Sequence, residues 1–252
     1  MNMTTPEANS QASFWSRPIH KTGKYLLRWL GNFQARHSLV SAAPVIGNHE
    51  FAWVPQLEAA YADIRAELDA LLEHPEDIPT FHQLSPDQKR ISKGNNWKTF
   101  ALYVYGKRVD DNCTACPKTA AALAAMPGMS TAMFSILAPR YHIEPHKGPT
   151  RAMVRAHLGL KVPKDSQNVW IRVHDQILHW EEGKVVLFDD SYEHEVRNDT
   201  DETRAVLFID IDRPMDGIGT FVNNIIVRLI KASSYVQEPL KNLAAWNREH
   251  KR

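Results

Sequence analysis

The sequence predicts a mainly β protein, a jelly roll of short strands with α-helices before and after it. Between Thr131 and Ile211, apolar and polar residues alternate in short runs that are separated by polar turns. Apolar residues recur at helical spacing upstream, over Pro55–Leu72, and downstream, over Phe221–Trp246. Many short strands with turn signals between them are typical of a jelly roll.

Six segments carry the strand pattern, in which apolar residues occupy every second position. They are Trp97–Tyr105, Ala132–Ala138, Ala152–Leu160, Val169–Val173, Lys184–Phe188 and Thr203–Ile211. A further helix is predicted over Lys118–Ala125, because a Met-Pro-Gly sequence follows it. We therefore expect a helical extension over residues 1–80, a β domain over residues 81–214 and a helical segment over residues 215–252.

Composition excludes several classes of protein. The chain has 252 residues and a formal net charge of +1, which gives no electrostatic reason to expect nucleic-acid binding. No stretch approaches the roughly 18–20 apolar residues that cross a bilayer, and residues 1–12 lack a signal-peptide pattern. The two cysteines, Cys113 and Cys116, form no disulfide framework, so we expect a cytoplasmic protein. The sequence leaves the role of this pair open, as it does the oligomeric state.

The segment Phe14–His37 mixes aromatic residues and leucines with five cations. Two interpretations are open. The more common one is a helix that packs on the domain with a solvated basic face. The other is a basic amphipathic helix that lies on an anionic membrane surface, which would make the protein peripherally membrane-associated.

Two predicted strands carry cationic side chains opposite an apolar face. On Ala152–Leu160, Arg155 and His157 share a face with Met153, whereas the other face is wholly apolar. On Thr203–Ile211, Arg204 lies on the face opposite a second apolar row. Charged groups beside a core need an anion, a solvent-filled cleft or a salt bridge. A small dicarboxylate would satisfy them, and arginine suits bidentate carboxylate binding.

A histidine precedes each of these strands. His146 precedes Ala152–Leu160, and His194 precedes Thr203–Ile211, following Lys184–Phe188 after a polar turn. Neutral imidazole is a good ligand for iron, zinc, copper or nickel. A pair of histidines is a weak signal by itself, because most single histidines are structural.

A specific resemblance appears when these residues are read with their neighbours. Several blocks occur in order between Asn96 and Pro214, and together they resemble the aspartyl/asparaginyl β-hydroxylase family. The blocks are 97–106, 116–119, 145–150, 155–160, 180–184, 188–191 and 193–196.

The resemblance implies a double-stranded β-helix, which is a cupin-like jelly roll, and an Fe(II)- and 2-oxoglutarate-dependent dioxygenase that hydroxylates an unactivated C–H bond with O2. It also implies a role for particular residues. Carried over by position, the iron ligands are His146 and His194, the residues for the distal carboxylate of 2-oxoglutarate are Ser135 and Arg204, and pocket residues near the metal and the bound organic acids are Arg155 and His157.

The chain departs from most 2-oxoglutarate oxygenases at Gly148, where a carboxylate usually completes the iron ligands. The hydroxylase branch that acts on peptide Asp and Asn shares this glycine and is thought to use water. Halide-binding oxygenases also lack the carboxylate, so a halogenase-like enzyme is an alternative. Nearby Glu144, Asp190 and Glu193 are further candidates for the surroundings of the metal, although turn and surface carboxylates are the more common interpretation.

The sequence leaves the substrate open. The family includes enzymes that act on Asp or Asn in peptides and enzymes that hydroxylate lipid acyl chains. Candidate substrate contacts are Trp97, Met133 and Met153, of which the two methionines suit an acyl chain at least as well as a carboxylate. A jelly-roll module that binds metal without catalysis is the remaining alternative.

Overall fold

A computed structural model describes residues 29–250 and contains eleven strands and seven helices within that range, besides helical residues 29–36. The strands are β1 (Val45–Ile46), β2 (Trp97–Val104), β3 (Lys107–Arg108), β4 (Met129–Leu137), β5 (Tyr141–His146), β6 (Met153–Lys161), β7 (Val169–Val173), β8 (Gln176–Leu178), β9 (Val185–Phe188), β10 (His194–Asn198) and β11 (Arg204–Asp212). The helices are α1 (Val54–Ala59), α2 (Tyr61–Leu71), α3 (Phe81–Leu84), α4 (Asp110–Ala115), α5 (Pro117–Ala124), α6 (Gly217–Ala232) and α7 (Ser234–Glu249).

The strands form two antiparallel sheets. The larger has the order β1-β9-β6-β11-β4-β2-β3, and the smaller has the order β5-β10-β7-β8. Apolar side chains from both sheets meet in one core, with Ile171 and Val196 from the smaller sheet and Phe188 and Val206 from the larger. This arrangement confirms the predicted jelly roll with flanking helices.

The larger sheet has an apolar face and a polar face, as the alternation predicted. Its apolar face packs on the helices, where Leu158 and Leu207 join Leu68 of α2 and Leu123 of α5. Burying each such leucine contributes about 1.5–3 kcal/mol. The opposite face, which carries Arg155, is therefore turned toward the smaller sheet.

All six predicted strands are present, with ends that differ by no more than three residues. Five strands were not predicted, and two of them, β5 and β10, carry the paired histidines. β5 contains Pro145, which reads as a strand breaker but is tolerated because β5 lies at an edge of its sheet. β10 has the sequence His-Glu-Val-Arg-Asn, which offers a single apolar residue and therefore no alternation to detect.

The predicted helices lie where they were expected, but two of them are each divided into two shorter helices. The expected helix Pro55–Leu72 is two helices that break at Ala60, and the expected C-terminal helix is broken at Ser233, where the backbone is extended. α3 and α4 were not predicted. Residues 14–28 of the basic segment lie outside the described residues, and the division into three parts stays a prediction.

The C-terminal helix α7 is fixed to the segment that precedes β2 by two side chains. The Trp246 indole nitrogen donates to the backbone oxygen of Asp77 at 3.0 Å, and the Asn242 amide donates to that of Leu84 at 2.9 Å. α7 therefore has a defined position beside β2. No helix in residues 29–250 has both the length and the apolar character that crossing a membrane requires.

Candidate active site

His146 and His194 lie side by side at the mouth of the barrel. His146 ends β5, His194 begins β10, and the two residues are partners in the strand register. Their ring centroids are 4.2 Å apart. Each Nδ1 hydrogen-bonds a backbone oxygen two residues earlier, that of Glu144 at 2.8 Å and that of Tyr192 at 2.9 Å. These bonds orient the rings and leave each Nε2 available to a metal ion.

Both imidazoles are held in the neutral form that binds a metal. Burial, together with the proximity of His146 and Arg155, lowers the pKa of His194 to about 3. Burial also lowers the pKa of His146, although its bond to Glu144 opposes that shift. At neutral pH neither nitrogen has to lose a proton before it binds a cation.

The space that a side chain at residue 148 would need is occupied by Asp190. The Gly148 amide donates to the Asp190 backbone oxygen at 2.7 Å, and a Cβ atom at residue 148 would collide with the Asp190 carboxylate. Burial raises the pKa of Asp190 to about 6, and its carboxylate pairs with Arg155 at 2.9 Å. No group of three His, Cys, Asp or Glu side chains within residues 29–250 is arranged to hold a metal ion.

The other two candidate carboxylates lie at the surface. Glu144 is exposed, and Glu193 pairs with Arg172 at 3.4 Å. Of the three carboxylates considered from the sequence, only Asp190 borders the cavity beside His146.

Arg204 is a buried cation that lacks an acidic partner within residues 29–250. It begins β11, is 1% exposed, and has its guanidinium 4.6 Å from the Trp180 ring centroid. Its Nη1 donates to the Ser135 backbone oxygen at 3.3 Å, its Nε has no partner, and no carboxylate of the described residues contacts it. Burial lowers its pKa to about 9, so the guanidinium is still charged at neutral pH.

Further buried polar atoms that lack a hydrogen-bond partner within residues 29–250 lie near this guanidinium. They are both ring nitrogens of His157, whose ring lies against those of Trp180, Phe188 and Phe208, and the indole nitrogen of Trp180. Each such group costs about 1–3 kcal/mol when it is left without a partner. Together with Arg204 they form a buried polar cluster that a ligand with several acceptor atoms would satisfy.

Ser135 lies beside the same polar cluster. It is on β4, one strand from Arg204, and its hydroxyl accepts a hydrogen bond from the Trp97 indole at 3.0 Å. Phe188 lies between this cluster and the metal candidates, because its ring contacts both His157 and His194, with centroids 5.0 and 5.7 Å apart. The structure thus brings Ser135, His157 and Arg204 together behind the histidine pair.

Of the three alternatives left open for Arg155, the structure shows a salt bridge. Its guanidinium bonds Asp210 at 2.8 Å and Asp190 at 2.9 Å and stacks over Phe208, so it needs no external anion. Asp210 lies opposite Arg155 in the strand register, a pairing that requires the alignment of β6 with β11. The demand for an anion therefore falls on Arg204.

A cavity extends from His146 toward the C-terminal helices. Its section next to His146 is lined by the three candidate substrate contacts, Trp97, Met133 and Met153. A second section has a volume of about 120 Å³. Residues that line both sections are Phe81, Gln88, Tyr105, Met133, Arg155, Phe208 and Asp210.

Most of the second section is apolar, and α7 forms one wall. Its lining includes Ala101 and Val104 of β2 and Val236 and Leu243 of α7. No part in the site was predicted for α7, because its apolar spacing indicates a buried helix face without indicating what that face covers. Trp180, too, had no assigned role, although it stands in one of the resembling blocks.

Comparison with known proteins identifies the family. The family model described as aspartyl/asparaginyl beta-hydroxylase matches residues 58–214. The chain belongs to this family. The match begins before Phe81, so the family resemblance covers α2 and reaches the end of α1, further upstream than the blocks indicated.

Two curated relatives are hydroxylases. An ornithine lipid ester-linked acyl 2-hydroxylase from Rhizobium tropici is 39% identical over 224 residues, which are 89% of this chain and 80% of the relative. The human aspartyl/asparaginyl beta-hydroxylase is 31% identical over 214 residues, 82% of this chain but only 27% of that protein. This chain is accordingly a hydroxylase of the family.

A crystal structure of a Pseudomonas putida prolyl-4-hydroxylase superposes with a TM-score of 0.40 at 16% identity. The match covers 74% of this chain and 98% of the other. A likeness this low adds nothing to the assignment made from the sequence.

The buried histidines make the stability of the hydroxylase depend on pH. Burial holds the pKa of His157 well below its usual value, so below about pH 6.5 only the unfolded chain gains a proton there. Each such group lowers the free energy of unfolding by about 1.4 kcal/mol per pH unit. We expect metal-free protein to lose stability between pH 7.5 and 5.5, and His157→Phe to lose about 1.4 kcal/mol less.

Urea unfolding at both pH values measures this difference. The matched control is His74→Phe, which replaces an exposed histidine and should reproduce the loss seen in the unsubstituted protein. An equal loss in His157→Phe would contradict a neutral, buried imidazole at residue 157.

Proposed function

We propose that this hydroxylase is an Fe(II)- and 2-oxoglutarate-dependent dioxygenase that hydroxylates the acyl chain of a lipid. The observation that carries the cofactor proposal is the buried guanidinium of Arg204, which has no carboxylate partner among the described residues and lies behind two neutral histidines. A dicarboxylate that also reaches the metal would satisfy the cation, the unpaired nitrogens and the open metal positions together.

In this proposal the residues have distinct tasks. His146 and His194 hold iron through Nε2, and Arg204 with Ser135 binds the distal carboxylate of 2-oxoglutarate. His157 is a further donor within the same pocket. Bound iron, 2-oxoglutarate and O2 supply the oxidation: the substrate C–H becomes C–OH, and 2-oxoglutarate becomes succinate and CO2. The protein orients the reactants and excludes water.

Aromatic side chains and Asp190 complete the surroundings. The rings of Trp180, Phe188 and Phe208 enclose the carboxylate pocket and keep bulk water from it. Gly148 provides no ligand, so water or chloride would take the place of the usual third protein ligand. The Asp190 carboxylate, which lines the cavity together with His146, would be a hydrogen-bond partner for bound water. Turnover that requires chloride and gives a chlorinated product would favour the halogenase-like alternative.

The cavity favours an acyl chain over a peptide carboxylate. Beyond Met133 its walls are largely apolar, which suits a hydrocarbon chain. Recognition of an aspartyl side chain requires a cation, yet Arg155 is already neutralised by two aspartates and Lys147 lies exposed at the mouth. The Rhizobium relative, named for acyl hydroxylation, also matches over far more of its own length than the human peptide hydroxylase does.

The direct test is turnover with two substrate panels, Asp- or Asn-containing peptides and acylated lipids, in the presence of iron, 2-oxoglutarate and O2. We expect succinate and a gain of one oxygen on the acyl chain, both detected by mass spectrometry. His194→Ala should abolish both products because it removes one of the two protein ligands, whereas His74→Ala, at an exposed histidine, should retain them.

Three results would count against the proposal. Oxygen gain on the peptides alone would support the Asp/Asn hydroxylase instead. The absence of succinate with every substrate, together with unchanged metal content in His194→Ala, would indicate a non-catalytic binding module. Full activity in His194→Ala would exclude this metal site.

The cavity also predicts a dependence on chain length. Val104 lines the section between β2 and α7 but not the section beside His146. Val104→Phe narrows the far section, so we expect activity on long acyl chains to fall at least about tenfold, which corresponds to roughly 1.4 kcal/mol of lost binding, while short chains react normally. Mass spectrometry of product formed from acyl chains of graded length measures this. An equal loss of activity on acyl chains of all lengths would mean that the acyl chain does not occupy the section between β2 and α7.

A further inference from the structure

Helix α6 carries a stripe of large apolar side chains that faces solvent. The stripe consists of Ile218, Phe221, Ile225 and Leu229, which are spaced three to four residues apart and are between 45% and 68% exposed. These residues therefore share one side of the helix. The buried side of α6 is a different one, formed by Gly219, Asn223 and Val227.

The inner side of α6 packs on the wall of the substrate cavity. Val227 forms an apolar cluster with Ala152, Met153 and Tyr105, and the last two also line the cavity beside His146. The stripe and the cavity are therefore separated by about the width of one helix, roughly 10 Å.

A buried polar network fixes α6 to the loop that follows the first histidine. The side-chain nitrogen of Gln34 donates to Asn223 of α6 at 3.0 Å and to Thr150 at 3.1 Å. Gln34 lies in the helical residues 29–36, whose Trp29 is also an exposed aromatic residue. Through this network, whatever holds α6 also orients the loop that leads from His146.

Basic groups flank the stripe. α6 contains Arg228 and Lys231 and no acidic residue, and the only acid at its start, Asp216, is engaged as the N-cap and with His37. The turn between β2 and β3 adjoins Lys231, because a Cβ atom on Gly106 would lie 3.4 Å from the Lys231 Nζ, and exposed Lys107 follows. An apolar stripe with cations beside it matches the acyl and headgroup layers of an anionic lipid surface.

We propose that the apolar stripe of α6, with its flanking cations, docks the enzyme on the surface of an anionic lipid bilayer and brings the cavity beside the lipids. The choice of a lipid partner rests in part on the proposed acyl substrate. A second copy of the chain fits less well, because α6 is about 24 Å long and its stripe offers roughly 240 Å², against about 800 Å² per partner in a stable dimer. Two copies would also bring their cationic flanks together.

Vesicle co-sedimentation of the full chain tests this proposal without turnover. We expect binding to vesicles of mixed phosphatidylcholine and phosphatidylglycerol, and weaker binding to phosphatidylcholine alone. Phe221→Asp should lower the partition coefficient at least about tenfold, because a large apolar side chain no longer enters the acyl region. Arg228→Glu should lower binding to the anionic vesicles alone.

The matched control is Ile177→Asp, which places the same charge at an apolar residue that is 56% exposed on β8, outside the stripe. It should bind vesicles as the unsubstituted protein does. Circular dichroism and the unfolding midpoint establish that each variant is folded.

Several outcomes would overturn the proposal. They are equal vesicle binding by Phe221→Asp and Ile177→Asp, an absence of vesicle binding by the unsubstituted chain, and a change of Phe221→Asp from dimer to monomer without any change in vesicle binding. Vesicle binding without hydroxylation would refute the proposed function and leave docking intact. Hydroxylation of a detergent-dispersed lipid without vesicle binding would refute the docking and support the proposed function.

Discussion

The structure depends on Arg204, a cation that is buried without a carboxylate partner among the described residues. Placing an arginine inside a protein without an acid costs several kcal/mol, and a stable fold normally avoids it. Here Arg204 is held by the pairing of β11 with β4 and by the face of Trp180, and the unpaired nitrogens of His157 and Trp180 add to the penalty. In the proposed function a bound dicarboxylate would offset this penalty, so the polar cluster at Arg204 links the fold to the cofactor proposal.

The two faces of the larger sheet make this possible. Its outer face buries leucine, isoleucine, valine and alanine side chains against helices α1, α2, α4 and α5, and this core supplies stability away from the site. The inner face is thereby free to carry Arg155, His157 and Arg204, and the histidine pair lies on the smaller sheet that packs against it. The same division extends to α6, which packs one side on the cavity wall and leaves a contrasting side exposed.

Features that depend on residues close together in the sequence could be predicted, whereas contacts between distant segments could not. The alternation within single strands was enough to predict the jelly roll and to place Arg204, Arg155 and His157 on its inner face. The pairing of Arg155 with Asp210 was missed because it depends on the register between β6 and β11, and the role of Asp190 was left open because it depends on a loop approaching Gly148. The strands that carry both histidines were missed because they lack alternation, although the family resemblance identified the histidines themselves.

The free energy of unfolding of Arg204→Met, compared with that of the unsubstituted protein, tests whether Arg204 is an unpaired buried cation that binds 2-oxoglutarate; both proteins are measured with and without 2-oxoglutarate in the presence of a divalent metal ion. Methionine keeps most of the volume and removes the unpaired charge, so we expect the variant to be at least as stable as the unsubstituted protein without the ligand. We also expect 2-oxoglutarate at a hundred times its Kd to stabilise the unsubstituted protein by about 2.7 kcal/mol and to leave the variant unchanged. A variant that is destabilised by about 3–5 kcal/mol, as when a buried ion pair is broken, and is then stabilised equally by 2-oxoglutarate would show that Arg204 has neither property.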